Sequence, residues 1–251
     1  MSNARPGETR PPGWRLQTHE VLASTSDFCR ERAAAGEPEG FAALARRQTQ
    51  GRGSRGREWE SPVGNLFLSV LLRPAERARD AGQWSLLAGV ALAEALAAHL
   101  PATARLRLKW PNDVLLDGKK LAGILVDSSA DAAGMVEWLV IGMGVNLAVA
   151  PAVPGRAVAC LADEVVPPAP EAFAAALLAR LAHWRGVRAV EGFGAVRAAW
   201  LARAPAPGSA VSLRLGGEIL GGGFVGLGED GSLLLVRDGT VRAFATGEVL
   251  L

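Results

Sequence analysis

Beyond Pro207 the chain changes texture, and that change divides any fold it adopts into two unequal parts. From Ser209 onward, short apolar runs are cut by Gly216-Gly217, Gly221-Gly222-Gly223, Asp230-Gly231 and Asp238-Gly239. Strands this short with turns this frequent predict a small β-barrel of about five strands. The 251 residues before and after the break suit one large domain and one satellite. The expected division is a polar tail over 1–14, a large domain over 15–205 and the small one over 208–251.

Within the large part, an extended segment runs to Ala23, and "STSD" then offers hydroxyls and a carboxylate to cap a helix ending near Gly36. "GFAALARRQ" and "NLFLSVLLR" read as strands, the second bounded by Gly64 and Pro74. Residues 80–100 form an apolar helix stopped by Pro101. "RLRLKW" alternates as a strand does, and "VLLDGKKLAGILVD" carries a hairpin signature around Asp117-Gly118. "MVEWLVIGMGVNLAV" supplies another buried strand, followed by helices over roughly 170–185 and 188–203. Hairpins and helices around a largely antiparallel sheet make an α+β fold, without the βαβ alternation of a doubly wound one.

Several function classes fall away. Cys29 and Cys160 match no metal or redox spacing, and His19, His99 and His183 are scattered, so no protein-built metal site or histidine triad is expected. The formal net charge of +2 gives no global field to recruit nucleic acid or a membrane. The N-terminus has no apolar secretory core, and the longest apolar stretch is interrupted by Glu94. A cytoplasmic protein acting away from membranes is the expectation.

Positive charge is instead local. In "GRGSRGREW" the glycines let backbone N–H groups approach an anion, and Arg52, Arg55 and Arg57 add charge-assisted contacts. The spacing is not that of a P-loop. A solvated loop with no specific contact is the plainer alternative. "KWPNDVLLDGKKLAGILVD" crowds Lys109, Asn112, Asp113, Lys119 and Lys120 into an apolar hairpin, and polar groups there need partners or a ligand. Asp113 suits a cation or a turn, while Lys119 reads as solvated and Trp110 as core. In "VIGMGVNLAV", Gly142, Gly144 and Asn146 mark either a ligand-facing strand end or a glycine-permitted turn.

Taken in order and spacing, these three motifs resemble the biotin protein ligases, and "STS", Gln48 and the C-terminal "GEDGSLLLVRDGTVRAFATGEV" fit the same pattern from about residue 15 to the end. The resemblance implies a class II synthetase-like catalytic domain with an SH3-like C-terminal barrel. It implies two steps: biotin and MgATP give biotinyl-5′-AMP and pyrophosphate, then a lysine of a biotin carboxyl carrier domain takes the biotin. By the same resemblance Ser24, Thr25, Ser26, Gln48, Gly51, Gly53, Ser54 and Gly123 would surround biotin. Arg52 and Lys120 would hold its carboxylate and the α-phosphate, which makes them catalytic with Asp113, and Arg55, Arg57, Trp59, Asn112 and Asn146 would meet the nucleotide. Asp113 would orient the acceptor lysine or act through Mg²⁺ brought with ATP.

Two positions depart from the pattern: Ser54 stands where arginine is frequent, implying looser retention of the adenylate, and Ser26 where asparagine is frequent. Only about fourteen polar residues precede the first strand, too few for a DNA-reading domain, so a ligase without repressor function is expected. A homodimer is the expected assembly. The rivals are a lipoate or octanoate transferase, whose histidine-bearing motif is not found, and an inactive carrier-domain binding module.

Overall fold

The structure is a computed structural model that describes residues 8–9 and 13–250. Eight strands form the large sheet: β1 (Glu8–Thr9), β2 (Arg15–Leu22), β3 (Phe41–Gln48), β4 (Leu66–Leu72), β5 (Leu106–Lys109), β6 (Asp113–Leu116), β7 (Lys119–Ala130) and β8 (Val136–Val145). Their order is β1-β2-β3-β4-β8-β7-β6-β5. The pair β2–β3 is parallel, bridged by α1 (Thr25–Ala34), and the other neighbours in this sheet are antiparallel. The expected α+β layout is therefore observed.

The sheet is covered on both faces, and β4 is buried at every residue for that reason. Its even positions Leu66, Leu68, Val70 and Leu72 join a core with α2 (Gln83–Ala97) and α3 (Pro170–Glu191). The odd position Leu71 packs with Cys29 and Ala33 of α1 on the other face. Helix α2 is apolar nearly all round and buried nearly all round, as that composition requires. Truncating its fully buried Leu92 to alanine would cost about 2–5 kcal/mol through lost transfer energy and a cavity.

The Asp117-Gly118 turn joins β6 to β7 with φ of 46° and 81°, the left-handed pair that the hairpin signature requires. The helical region after residue 170 breaks later than its sequence suggests. Helix α3 runs through Gly186 to Glu191, and Gly192, at φ 76°, separates it from α4 (Phe193–Leu201). Leu181 and Trp184 keep that last stretch against the core, which overrides a solvent-side glycine.

Strands β9 (Ala210–Leu215), β10 (Glu218–Leu227), β11 (Leu233–Arg237), β12 (Thr240–Phe244) and β13 (Glu248–Leu250) form a second, antiparallel sheet in the order β12-β11-β10-β9-β13. Leu213, Phe224, Leu227 and Leu235 of this sheet belong to the same buried cluster as α2 and β4. Trp110 Nε1 donates to Gly231 O at 3.1 Å and Lys109 Nζ to Val249 O at 3.2 Å, fastening one sheet to the other. No helix among the described residues is long and apolar enough to cross a membrane.

Candidate active site

On the α1 face of the large sheet, a run of glycines clears a hollow. Gly123 of β7 lies opposite Gly144 of β8, and Gly142 opposite Leu125. None of the three has a left-handed φ, so they serve close approach and not a turn. A Cβ at Gly144 would fall inside the Trp59 ring, and one at Gly142 inside the Ser26 hydroxyl. The opposite face of the same strands carries Ile124, Ile141, Met143 and Val145 in the core. Alternation by two thus gives one face to packing and the other to a site.

Hydroxyls and one amide form one wall. Ser24 caps α1, its Oγ accepting from Asp27 N at 3.3 Å. Ser69, fully buried in β4, donates from Oγ to Thr25 Oγ1 at 2.8 Å and lies 3.1 Å from Ser26 Oγ. Gln48 Oε1 accepts from both Thr25 N at 2.8 Å and Thr25 Oγ1 at 3.1 Å, and Gln48 Nε2 donates to Ser61 Oγ at 3.1 Å. Because Ser69 spends its proton on Thr25, Ser26 must be the donor to Ser69. The relay runs Ser26 to Ser69 to Thr25 to Gln48. It leaves the Ser24 hydroxyl proton and the second Gln48 N–H free to face the hollow.

Lysine 120 forms the opposite wall. Its ammonium makes a very short ion pair with Asp113 and stands 5.4 Å from the centre of the Trp59 ring. Lys109 reaches the other Asp113 oxygen at 2.9 Å. Burial alone would raise the Asp113 pKa, but Lys120 and Lys109 outweigh it and hold the carboxyl below its usual range. Burial depresses the Lys120 pKa, and Asp113 only partly restores it. Asn112 borders the hollow and donates from Nδ2 to Ile124 O at 2.7 Å. Asn146 borders the adjoining cavity, but its side chain is fully buried and donates to Ala159 O at 3.1 Å, tying down the segment after β8.

The Gly/Arg segment closes over the hollow. Gly53 N donates to Arg57 O at 2.7 Å and Trp59 N to Gly51 O at 2.9 Å, folding the loop onto itself. Gly51 has no room for a Cβ, which would run into Trp59 O. Arg55 sits at φ 62°, a left-handed position unusual for a side-chain-bearing residue. Arg52 pairs with Asp27 at 2.7 Å and Asp127 at 3.1 Å; burial disfavours its charge, and the two carboxylates outweigh that and raise its pKa. Arg55 and Arg57 turn away from the hollow to Glu248 of β13, at 3.0 and 2.7 Å. Ser54 accepts from Arg57 at both its carbonyl and its hydroxyl. Trp59 Nε1 is buried and finds no hydrogen-bond partner among the described residues.

One side of the hollow thus offers neutral hydrogen-bond donors, the other a buried ammonium, and a folded cationic loop lies above. The Biotin/lipoate A/B protein ligase family model matches residues 19–146, which span the α1 face, the loop and the β6–β7 hairpin. The chain belongs to that family. It is 42% identical over 200 residues to the biotin--[acetyl-CoA-carboxylase] ligase of Paracoccus denitrificans, covering 76% of this chain and 82% of that protein. It is 33% identical over 236 residues to the bifunctional ligase/repressor BirA of Escherichia coli (strain K12), covering 92% of this chain and 72% of that protein. Its fold matches the biotin protein ligase from Aquifex aeolicus in complex with biotin and ATP with a TM-score of 0.77 and 26% identity, over 94% of this chain and 97% of that one.

Within this family member, the hollow brings together Ser24, Thr25, Ser26, Gln48, Arg52 and Lys120, and Gly53, Ser54, Trp59, Asn112 and Gly123 border it too. Asp113 lies behind Lys120, Arg55 lies outside, and Arg57 and Asn146 border the adjoining cavity. Sequence reasoning did not single out Ser69, Asp127, Arg156 or Glu248, and it took Asp27 only as a helix-capping carboxylate. For Ser69 a signal existed, since it is the one hydroxyl in the strand "LFLSVLL" and a buried polar group there needs a partner. The others reach the loop from distant segments, and nothing local marks them.

Proposed function

We propose that the protein is a biotin protein ligase that forms biotinyl-5′-AMP from biotin and ATP and transfers the biotin to a lysine of a biotin carboxyl carrier domain. The observation that carries this reading is the pairing of an uncharged donor wall with a buried ammonium across one glycine-floored hollow. A ureido ring has one carbonyl oxygen and two N–H groups. The free Ser24 hydroxyl proton and Gln48 N–H would donate to that oxygen, and Thr25 Oγ1 would accept from a ureido N–H. The apolar body of biotin would lie against Trp59, whose ring packs directly on Gly123 and Gly144.

Adenylation brings two anions together, the biotin carboxylate and the α-phosphate. Lys120 borders all three adjoining cavities, so its charge serves both reactants and the extra charge of the transition state. Arg52 would lend a second cation by exchanging Asp27 or Asp127 for the carboxylate. Asp113 has one lysine on each oxygen, so its part in this reading is to position Lys120. That arrangement does not fit a magnesium ligand, and no group of three or more metal-ligating side chains occurs among the described residues. Magnesium would therefore enter on the ATP phosphates. Trp59 Nε1 is a donor available to the nucleotide.

In the second step the acceptor lysine must lose its proton, which at neutral pH costs about 4 kcal/mol. Two neighbouring cations, Lys120 and Arg52, favour its neutral form as it enters. The folded loop keeps water from the mixed anhydride, and it is expected to become more resistant to protease when biotin is added. The formal charge of +2 offers no field for nucleic acid, which favours a ligase without repressor function. A cytoplasmic homodimer paired through the large sheet completes the proposal. The test is biotin-dependent exchange of labelled pyrophosphate into ATP by the purified protein, with lipoate as control. Exchange with biotin and not lipoate is expected, and exchange with neither acid would overturn the reading.

A further inference from the structure

The chain carries 24 arginines and 3 lysines, and all three lysines fall between positions 109 and 120. Lys109 and Lys120 are buried, one on each oxygen of Asp113, so neither has a free lone pair to offer. Lys119 alone is exposed, at the start of β7, and no carboxylate among the described residues pairs with it. Histidine apart, the remaining basic side chains are all guanidiniums.

That distribution has a chemical consequence beside a mixed anhydride. A lysine ammonium can lose its proton and become a nucleophile, whereas a guanidinium stays protonated and does not attack a carbonyl. Around the mouth of the hollow the basic side chains are guanidiniums. Arg52, Arg55 and Arg57 stand in the loop, Arg30 of α1 shares Asp27 with Arg52, and Arg156 and Arg214 meet Glu248, the carboxylate that receives the loop. Electrostatics alone does not demand this. Arg30 reaches Asp27 through a single nitrogen at 2.9 Å, a contact that an ammonium would make as well. Arg30 is also half-exposed, so an amine in its place would meet any acyl-adenylate leaving the hollow.

We propose that this surface keeps the protein from accepting its own product, and that Lys119 is the one side chain of the chain open to acylation by biotinyl-5′-AMP. The proposal rests on the ligase reading. Lys119 borders none of the cavities that Lys120 borders, so the adenylate reaches it only after leaving the hollow. There the Lys119 amine, its proton given to water, bonds to the biotinyl carbonyl carbon. The bond from that carbon to the phosphate oxygen breaks, and the electron pair leaves with AMP. Biotin held as an amide on Lys119 is then a record of adenylate lost to solvent, while adenylate that is retained passes to the carrier lysine.

The test is peptide mapping by mass spectrometry of the full chain without a carrier domain. One sample is treated with preformed biotinyl-5′-AMP and another with biotin and MgATP. Preformed adenylate should place side-chain biotin on Lys119 and on neither Lys109 nor Lys120; the N-terminal amine is mapped apart. Lys119→Arg should abolish that adduct and leave biotin-dependent pyrophosphate exchange unchanged. Arg30→Lys should add an adduct at position 30 with either treatment, at least equal to that at Lys119 when the adenylate is made in place, because position 30 lies beside the loop. Biotin on Lys109 or Lys120 would overturn the proposal, as would an Arg30→Lys variant that gains nothing. Labelling of Lys119 by preformed adenylate without biotin-dependent exchange would reject the ligase reading and keep the site. Exchange with Lys119 left unlabelled by preformed adenylate would do the reverse.

Discussion

Two carboxylates organise the charged half of this protein, and they do so under opposite conditions. Asp113 is buried in the large sheet with one ammonium on each oxygen, a closed group in which both carboxylate oxygens are engaged and one positive charge is left over. Glu248 stands at the seam between the sheets, meets four guanidiniums that are each about a third to a half exposed, and answers only part of their charge. Similar chemistry thus yields a fixed device in one place and an open one in the other. The difference is burial and stoichiometry. Breaking a buried, satisfied group strands charges that water cannot reach, whereas an exposed, cation-rich group can exchange one anion for another.

The sharpest way to break the contrast is Asp113→Asn. It leaves Lys109 and Lys120 buried without a counter-charge, which should cost about 3–5 kcal/mol. For a chain of this size that lowers the melting temperature by roughly 10 °C, readable by calorimetry. A drop of only a degree or two would mean that the lysines relax into solvent and the group is not closed. Glu248→Gln, by comparison, should stay within about 1 kcal/mol of wild type, as for partly exposed pairs.

Lys120→Ala keeps Asp113 paired with Lys109 and removes the ammonium that faces the hollow. Losing a buried charged contact of about 2–4 kcal/mol predicts adenylate formation slower by roughly 30- to 1000-fold. Arg52→Ala falls toward the lower end, because Arg52 is about a third exposed and already held by two carboxylates. A loss below threefold in either would separate these residues from the reaction.

Lys120 also gives a pH signature. Burial lowers its pKa from the ordinary 10.5, so the charged form disappears as pH rises through a value below that of a free lysine. In the proposed reaction adenylation uses this charge, so biotin-dependent exchange should fall on the alkaline side earlier than an ordinary lysine would dictate. Lys120→Arg, which stays charged, should push that limb upward even if it lowers the rate. A limb that does not move with the arginine would assign it to another group.

Much of this arrangement was legible in the sequence, for reasons that are local. The Asp117-Gly118 turn, the Ser24 cap and the buried run of β4 each follow from residues within a few positions of one another. The split between Gly192 and Gly186 was not, because a glycine does not announce its φ; packing of the last turns of α3 decided which one ends the helix. The glycines of β8 were visible, but their reason was not. Gly144 is required by Trp59, 85 positions earlier in the chain, and periodicity carries no trace of that approach. The anions that receive the loop's arginines were illegible for the same reason, since Glu248 lies 193 positions from Arg55 and resembles any other strand-edge glutamate.

The smallest expected effect sits where the two devices meet, at Ser54. Its carbonyl and hydroxyl accept from Arg57, which keeps that guanidinium aimed at Glu248 and away from the hollow. Ser54→Arg removes the hydroxyl acceptor and adds a cation to a loop already rich in them. If the loop retains the adenylate through charge, the variant should release biotinyl-5′-AMP about threefold more slowly, a gain of under 1 kcal/mol typical of an exposed charge. The gain should fade in high salt, because an exposed charge is screened within a Debye length of about 10 Å at 0.1 M salt. Release measured by quenched-flow at low and high salt separates this from steric closure. A salt-independent slowing would mean that the arginine shuts the loop by bulk, and unchanged release would mean that the backbone fold between Gly51 and Trp59 alone holds the intermediate.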